Sequence, residues 1–152
     1  MSLPDPIHAA ASAGNLAEVL RLTLLRFHAD TGTIHLLESD GVLHLRAASG
    51  AIPDSVLKAV ELVPIGKGMA GLAVERREPV SVCNLQADAS GNARPGAKAT
   101  GMEGALVVPI FHRDRAVGAL GIGTRNARTF TPDETADLIN IGRALIKNSY
   151  NL

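Results

Sequence analysis

Apolar residues recur at helical spacing near both ends of the chain. Asp5 before Pro6, followed by alanines, predicts a short first helix, and Asn15 with Glu18 forms a capping-box pattern that predicts a second. The apolar stripe of this second helix consists of Leu16, Val19, Leu20, Leu24 and Phe27, and Leu22 and Leu25 widen it. A stripe this broad can face both a sheet and another helix.

A third helix, which is long, is predicted after residue 131. Residues 131–134, Thr-Pro-Asp-Glu, form a capping box with proline at the first helical position. The apolar side of this helix consists of Leu138, Ile141, Leu145 and Ile146. Two amphipathic helices therefore flank the central part of the chain.

Between these helices the hydrophobic pattern has a period of two, which is typical of strands. The Asp40-Gly41 dipeptide favours a tight turn between the first two strands. The predicted strands are 33–37, 42–47, 79–83, 105–111 and 116–122, with a charged turn at 112–115. Short helices are predicted at 54–60 and 72–76, and the longest loop at 84–104.

This order of elements predicts an α+β fold, because hairpins outnumber parallel crossovers. We expect an α/β sandwich-like arrangement around a central, mostly antiparallel sheet of about five to six strands. The terminal helices should cover one face, and the short helices and the long loop the other. Residues 1–15 are a predicted helical lead-in, 16–148 a single domain, and 149–152 a C-terminal tail.

Charge and composition exclude some classes of partner. The formal net charge is +0, so nothing electrostatic favours nucleic acid or an anionic membrane surface. No apolar run approaches the roughly 20 residues of a membrane-spanning helix. The single cysteine, Cys83, has no partner for an intramolecular disulfide, which predicts a cytoplasmic protein.

Residues 66–71, Gly-Lys-Gly-Met-Ala-Gly, match the dinucleotide-binding pattern G-x-G-x-x-G. That site requires a strand before the first glycine and a full helix after the last one. Here Pro64 lies just before the motif, and Pro79 ends the helical stretch after a few residues. We therefore expect these glycines to let the chain turn and bring a short helix close to the sheet.

Five segments, taken in order, resemble the GAF domain family. They are Ala29–Leu37 with Asp40-Gly41, Gly66–Ala73 with Arg77–Val82, Gly104–Ile110, Val117–Ile122, and Phe130–Glu134. The resemblance covers residues 16–146. It implies a regulatory module that binds a small molecule, mediates dimerisation, or does both in a bacterial-type signalling protein.

In that family the ligand lies between the sheet and the short helices. The resemblance thus predicts a pocket next to the long loop, where flexible methionines adapt to varied ligands. The predicted pocket residues are Met69, Val82, Asn84, Met102, Glu103 and Leu106.

The broad apolar stripes predict a homodimer built from the terminal helices. Gly142 would permit close approach of two helices, and pairing across a two-fold axis would give a four-helix bundle. The predicted interface residues are Leu16, Leu20, Leu24, Phe27, Leu138, Ile141 and Leu145. The alternative is that both stripes are buried against the chain's own sheet, which would leave a monomer.

An enzymatic branch of the family, the free methionine-(R)-sulfoxide reductases, relies on more than one cysteine. This chain has only Cys83, and residues 84–104 contain none, so an oxidised Cys83 has no intramolecular thiol to regenerate it. We expect Cys83 to be a small buried strand residue and the protein to be no enzyme. A purely structural dimerisation module remains a further alternative.

Other ligand signatures of the family are incomplete in this chain. Asn126, Phe130, Asp133 and Glu134 resemble a cyclic-nucleotide pattern, but Ala127 replaces its lysine and the spacing is one residue short. Haem would need an axial ligand, for which the candidates are His28, His35, His44 and His112. A hydrogen-bonded or solvated histidine is the simpler expectation, and no residues have zinc spacing. We therefore predict no cofactor and no metal.

Overall fold

Six strands form one antiparallel sheet in the computed structural model, which describes residues 5–87 and 101–149. The strands are β1 (Thr31–Leu37), β2 (Val42–Gly50), β3 (Leu62–Pro64), β4 (Val80–Val82), β5 (Gly104–His112) and β6 (Arg115–Thr124). Their order across the sheet is β3-β2-β1-β6-β5-β4. The helices are α1 (Pro6–Ser12), α2 (Leu16–Phe27), α3 (Asp54–Ala59), α4 (Gly68–Arg76) and α5 (Pro132–Ser149), with a 3₁₀ turn at Leu85–Ala87. The predicted α+β class is confirmed.

The predicted hairpins form as expected. At the turn between β1 and β2, the Asp40 side chain accepts a hydrogen bond from the Val42 amide at 3.0 Å. Arg113 takes up a positive φ of 58° in the turn between β5 and β6. Most of the predicted 84–104 loop lies outside the described residues.

Strand β3 is absent from the sequence prediction. It has only three residues and pairs with the outer side of β2, where Pro64 lies opposite Val42. Proline is tolerated there because an edge strand leaves one row of amides unpaired. Hydrophobic alternation over so few residues gives no recognisable strand signal.

The predicted helix caps are present. The Asn15 side chain accepts a hydrogen bond from the Glu18 amide at 3.2 Å. At the start of α5, the Glu134 amide donates to Thr131 Oγ1 at 3.1 Å, and the Thr131 amide donates to Glu134 Oε1 at 2.9 Å. These bonds satisfy helix amides that have no partner within the helix.

Helices α1, α2 and α5 cover one face of the sheet and form the main core with β1, β5 and β6. Side chains alternate along β1, so Ile34 and Leu36 enter this core. Gly142 of α5 lies against β5, where a Cβ at this position would come 3.3 Å from Ile110 Cγ1. The small residue therefore brings α5 close to the sheet.

The predicted dimer interface needs correction. Leu20, Phe27, Leu138, Ile141 and Leu145 are at most 3% exposed within a single chain. Leu16 and Leu24 are half-buried and pack against the same core. The helical stripes are wide because the sheet and the neighbouring helices bury them, which leaves none of the buried five free to meet a second copy.

Candidate functional site

A cavity of about 410 Å³ lies on the sheet face opposite the terminal helices. Pockets that hold small organic molecules have volumes in this range. Strands β1, β5 and β6 form its floor, and α3, β3 and the start of α4 form its walls. The described residues that line it are Thr31, Gly32, Thr33, His35, Ile52, Val56, Ala59, Val60, Val63, Gly68, Met69, Ala70, Leu85, Met102, Ala105, Val107, Gly121, Ile122 and Gly123.

The floor of the cavity includes the small residues Ala105, Gly121 and Gly123. A Cβ added at Gly123 would lie 2.6 Å from Thr31 Oγ1, and one added at Gly121 would lie 3.2 Å from Val107 Cγ2. On β5, the residue opposite Gly123 is Ala105. The two glycines therefore let the side chains of Thr31 and Val107 lie close to the backbone of β6.

His35 is the most buried polar side chain on the cavity lining, with 3% of its surface exposed. Its Nε2 lies 2.8 Å from the Val60 carbonyl oxygen. Since a carbonyl oxygen only accepts, Nε2 carries the hydrogen and donates it. Burial lowers the pKa of His35, and the hydrogen bond to Val60 offsets this only in part. The ring is therefore neutral near pH 7.

The glycine motif fixes α4 against the end of β3. A Cβ at Gly71 would lie 2.3 Å from the Pro64 carbonyl oxygen, so only glycine fits there. The Gly66 amide donates to the Gly71 carbonyl oxygen at 2.9 Å, and Gly66 has a φ of 87°. This confirms that the glycines serve a tight turn and close packing.

The first turn of α4 borders the cavity through Gly68, Met69 and Ala70. Lys67 precedes the helix and makes no side-chain hydrogen bond to cap it. A helix N-terminus carries a partial positive charge from its unpaired amides. This end of the cavity therefore favours a hydrogen-bond acceptor of a bound molecule, such as a carbonyl oxygen.

The family model of the GAF domain matches residues 10–143. The chain belongs to the GAF domain family. A comparison with curated proteins gives no match.

Solved structures share the fold at low sequence identity. The GAF domain region of a putative membrane protein from Geobacter sulfurreducens has a TM-score of 0.77 and 19% identity, covering 96% of this chain and 97% of that one. A free methionine-R-sulfoxide reductase from Neisseria meningitidis, in complex with its substrate, has a TM-score of 0.76 and 20% identity, with coverages of 93% and 83%. The GAF domain of an Acinetobacter phosphoenolpyruvate-protein phosphotransferase has a TM-score of 0.71 and 20% identity, with coverages of 93% and 80%.

Two of the six predicted pocket residues line the cavity of this GAF domain. Met69 comes from α4 and Met102 precedes β5, and each is 7% exposed. Their unbranched side chains can adopt several shapes, which suits a cavity wall that adapts to its contents.

Leu106 lies on the other face of the sheet. It is 1% exposed and packs in the core under the terminal helices. Its neighbours Ala105 and Val107 line the cavity instead. Successive strand residues point to opposite faces of the sheet. The prediction was off by one position along β5, so it assigned Leu106 to the wrong face.

The other three predicted pocket residues lie beside the cavity. Val82 packs against the small cluster that contains Met69 and Met102. The Asn84 side chain accepts a hydrogen bond from the Gln86 amide at 3.0 Å. Glu103 Oε2 accepts one from the Ala127 amide at 3.1 Å. The two polar side chains stabilise the local backbone.

Cys83 follows β4 and is exposed, which corrects the expectation of a buried strand residue. Its Sγ lies 3.6 Å from Thr129 Oγ1. Cys83 does not line the cavity, and the chain has no second cysteine.

The remaining candidates do not converge on the cavity. The register pairs His44 with Leu36, whereas His35 lies on the opposite face, and His44 Nε2 is 2.8 Å from Asp40 Oδ2. Glu134 is engaged by the cap of α5 and by Arg128. Within the described ranges, no group of His, Cys, Asp or Glu could hold a metal ion. In the same part of the chain, no helix is both long and apolar enough to cross a membrane.

Sequence reasoning missed Thr31 and Thr33 on the polar side of the cavity, and it considered His35 only as a possible haem ligand. Alternation places every second residue of β1 on one face, but it does not say which face meets the terminal helices. The glycines of β6 were a usable signal. Gly121 and Gly123 alternate with Leu120 and Ile122, which indicates one packed face and one face with space.

Proposed function

We propose that this GAF domain is a non-enzymatic sensory module whose cavity binds a small, largely apolar molecule in signal transduction. The observation that carries the proposal is the cavity itself. Its floor includes Gly121, Gly123 and Ala105, and its contents would contact mainly apolar side chains. An apolar pocket with a few polar groups is the usual form of a small-molecule site.

The strand geometry offers a route from the cavity to the terminal helices. Thr33 and His35 line the cavity, while the intervening Ile34 and the following Leu36 pack in the core with α2 and α5. A displacement of β1 by a ligand would therefore change the packing of these helices. Ligand binding shifts such an equilibrium only through different affinities for its two states.

A homodimer and a cytoplasmic location are part of the same proposal. The single cysteine supports a reducing compartment. Leu25 lies on the outer face of α2 with 63% of its surface exposed, so a second copy would meet this face and not the buried stripe.

The alternative is a methionine sulfoxide reductase. The similarity to the Neisseria meningitidis enzyme shows the fold alone at 20% identity. In this chain the only thiol is exposed outside the cavity, and the described lining offers no cysteine nucleophile. These features favour binding over catalysis.

Native mass spectrometry of the freshly purified domain tests the binding function. Ala105→Leu places a larger side chain in the cavity, and Ala136→Leu makes the same change at an exposed position of α5. We expect a small-molecule adduct on the wild type and on Ala136→Leu, and its loss from Ala105→Leu. An adduct retained by a folded Ala105→Leu variant would contradict the proposed site.

A turnover assay tests the proposal that the protein is not an enzyme. Wild type and Cys83→Ser are each given free methionine sulfoxide and a thiol reductant. We expect no turnover above background by either protein. Robust reduction by the wild type that Cys83→Ser abolishes would establish the reductase alternative.

A further inference from the structure

One buried side-chain nitrogen of the cavity lining has no hydrogen-bond partner among the described residues. This nitrogen is Nδ1 of His35. The other ring nitrogen is committed to the Val60 carbonyl oxygen at 2.8 Å. The two nitrogens of one ring therefore differ: one is satisfied by the fold, and the other is not.

The bond to Val60 determines the chemistry of Nδ1. A neutral imidazole has one donor and one acceptor nitrogen, and Nε2 is the donor here. Nδ1 is thus an acceptor with a free lone pair. Buried acceptors in folded proteins nearly always have a partner, because leaving one unpaired costs free energy. A donor is missing at this position.

We propose that the cavity ligand is an uncharged molecule that donates an O–H or N–H hydrogen bond to His35 Nδ1. This inference rests on the proposed binding function and specifies the chemical class of the ligand. Nδ1 itself is buried, so the proposal requires the His35 ring to shift toward the cavity when the ligand binds. His35 is then a specificity-determining residue: it selects molecules with a donor over isosteres without one.

The lining explains why the ligand is uncharged. None of the described lining residues is Asp, Glu, Lys or Arg. A charged group transferred from water into such surroundings loses hydration and gains no counter-ion. Apart from His35, the lining side chains that can form strong hydrogen bonds are Thr31 and Thr33, whose neutral hydroxyls suit neutral ligands.

Matched probes test the inference directly. Indole and benzofuran have nearly the same shape, but only indole has an N–H donor; 2-naphthol and 2-fluoronaphthalene form a second pair. Dissociation constants are measured by NMR titration for the wild type, His35→Phe and His35→Gln. His44→Gln is the control, because His44 pairs with Asp40 outside the cavity lining.

The wild type and His44→Gln should bind the donor of each pair roughly three- to tenfold more tightly than its isostere, as one net hydrogen bond provides. His35→Phe should bind both members equally. The Nδ1 resonance of ¹⁵N-labelled His35 should shift with the donors alone, which tests the contact even if His35→Phe fails to fold. His35→Gln keeps an acceptor and should retain part of the preference.

Two results would overturn the inference in different ways. Equal binding of both members to the wild type, with no shift at Nδ1, would remove the role of His35 and leave the cavity as a binding site. Absence of binding by all four probes, together with no adduct in native mass spectrometry, would remove the proposed function and this inference with it.

Discussion

Burial of the neutral His35 ring makes stability depend on pH. The pKa of His35 is lowered from its ordinary value of 6.5, chiefly because burial disfavours the charged ring. The unfolded chain therefore takes up a proton at a higher pH than the folded one. The stability linked to this residue is complete above about pH 6.5 and is lost as the pH falls below that value toward the folded pKa.

Urea unfolding at pH 8 and pH 5.5 measures this effect. The wild type should lose more stability between the two values than His35→Phe, which has no ring to protonate. The carboxyl groups with lowered pKa, those of Asp5, Glu18, Asp40 and Glu134, should contribute little to the difference, because they lose stabilisation mainly below about pH 5 and are present in both proteins. Equal pH dependence of the two proteins would contradict the burial of a neutral His35.

Gly71 provides a second test at the scale of single residues. Glycine in a helix is usually destabilising relative to alanine by roughly 0.5–1 kcal/mol. At Gly71 the sign should reverse, because the new Cβ would lie 2.3 Å from the Pro64 carbonyl oxygen. We expect Gly71→Ala to lower the free energy of unfolding by about 1–3 kcal/mol.

Gly142→Ala is the matched control for that substitution. Its Cβ would meet a side-chain atom of Ile110 at 3.3 Å rather than backbone at 2.3 Å, so its effect should be smaller. Chemical denaturation gives both values. A stabilised Gly71→Ala variant would show that the glycine motif does not hold α4 against β3.

At the scale of elements, much of the fold could be predicted from local patterns. Caps, the Asp40-Gly41 turn and strand alternation identified five strands and both terminal helices, because each signal depends on nearby residues. Strand β3 was missed because it is short and at an edge. Two features could not be predicted: the sheet face to which Leu106 points, and the surface that buries the apolar stripes of the helices. Both depend on contacts between distant segments, which periodicity does not reveal.

Substitutions in α2 distinguish the two interpretations of its apolar stripe, which are core packing within one chain and a dimer interface. Leu20 is fully buried, whereas Leu25 is 63% exposed on the same helix. Leu20→Lys would bury an unpaired charge and should cost roughly 4 kcal/mol or more. Leu25→Lys should change stability by about 0.5 kcal/mol or less.

Thermal unfolding measures both variants, and sedimentation velocity of the same samples reports their assembly. If Leu20→Lys were as stable as the wild type and only changed the sedimentation coefficient, the stripe would be an interface after all. A homodimer through the outer face of α2 predicts instead that Leu25→Lys sediments as the smaller species.

At the scale of the whole molecule, the two faces of the sheet have different roles. One face is packed by the terminal helices, and the other holds a cavity next to a second, smaller core. A cavity bordered by the described ends of the long predicted loop, at Leu85 and Met102, could be predicted, and so could the positions of both methionines on its lining. Its size could not, since the volume depends on how Gly121, Gly123 and Thr31 meet across strands.

Methyl NMR of the domain labelled at its methionines tests the binding site most directly. The chain has three methionines, of which Met69 and Met102 line the cavity, and substitution of each of these two assigns its signal. Fractions of a cellular small-molecule extract are titrated into the wild type, Ala105→Leu and Ala136→Leu. We expect an active fraction to shift Met69 and Met102 together in the wild type and Ala136→Leu, and neither in Ala105→Leu. Fractions that shift neither methyl, or shift them equally in a folded Ala105→Leu variant, would contradict ligand binding in this cavity.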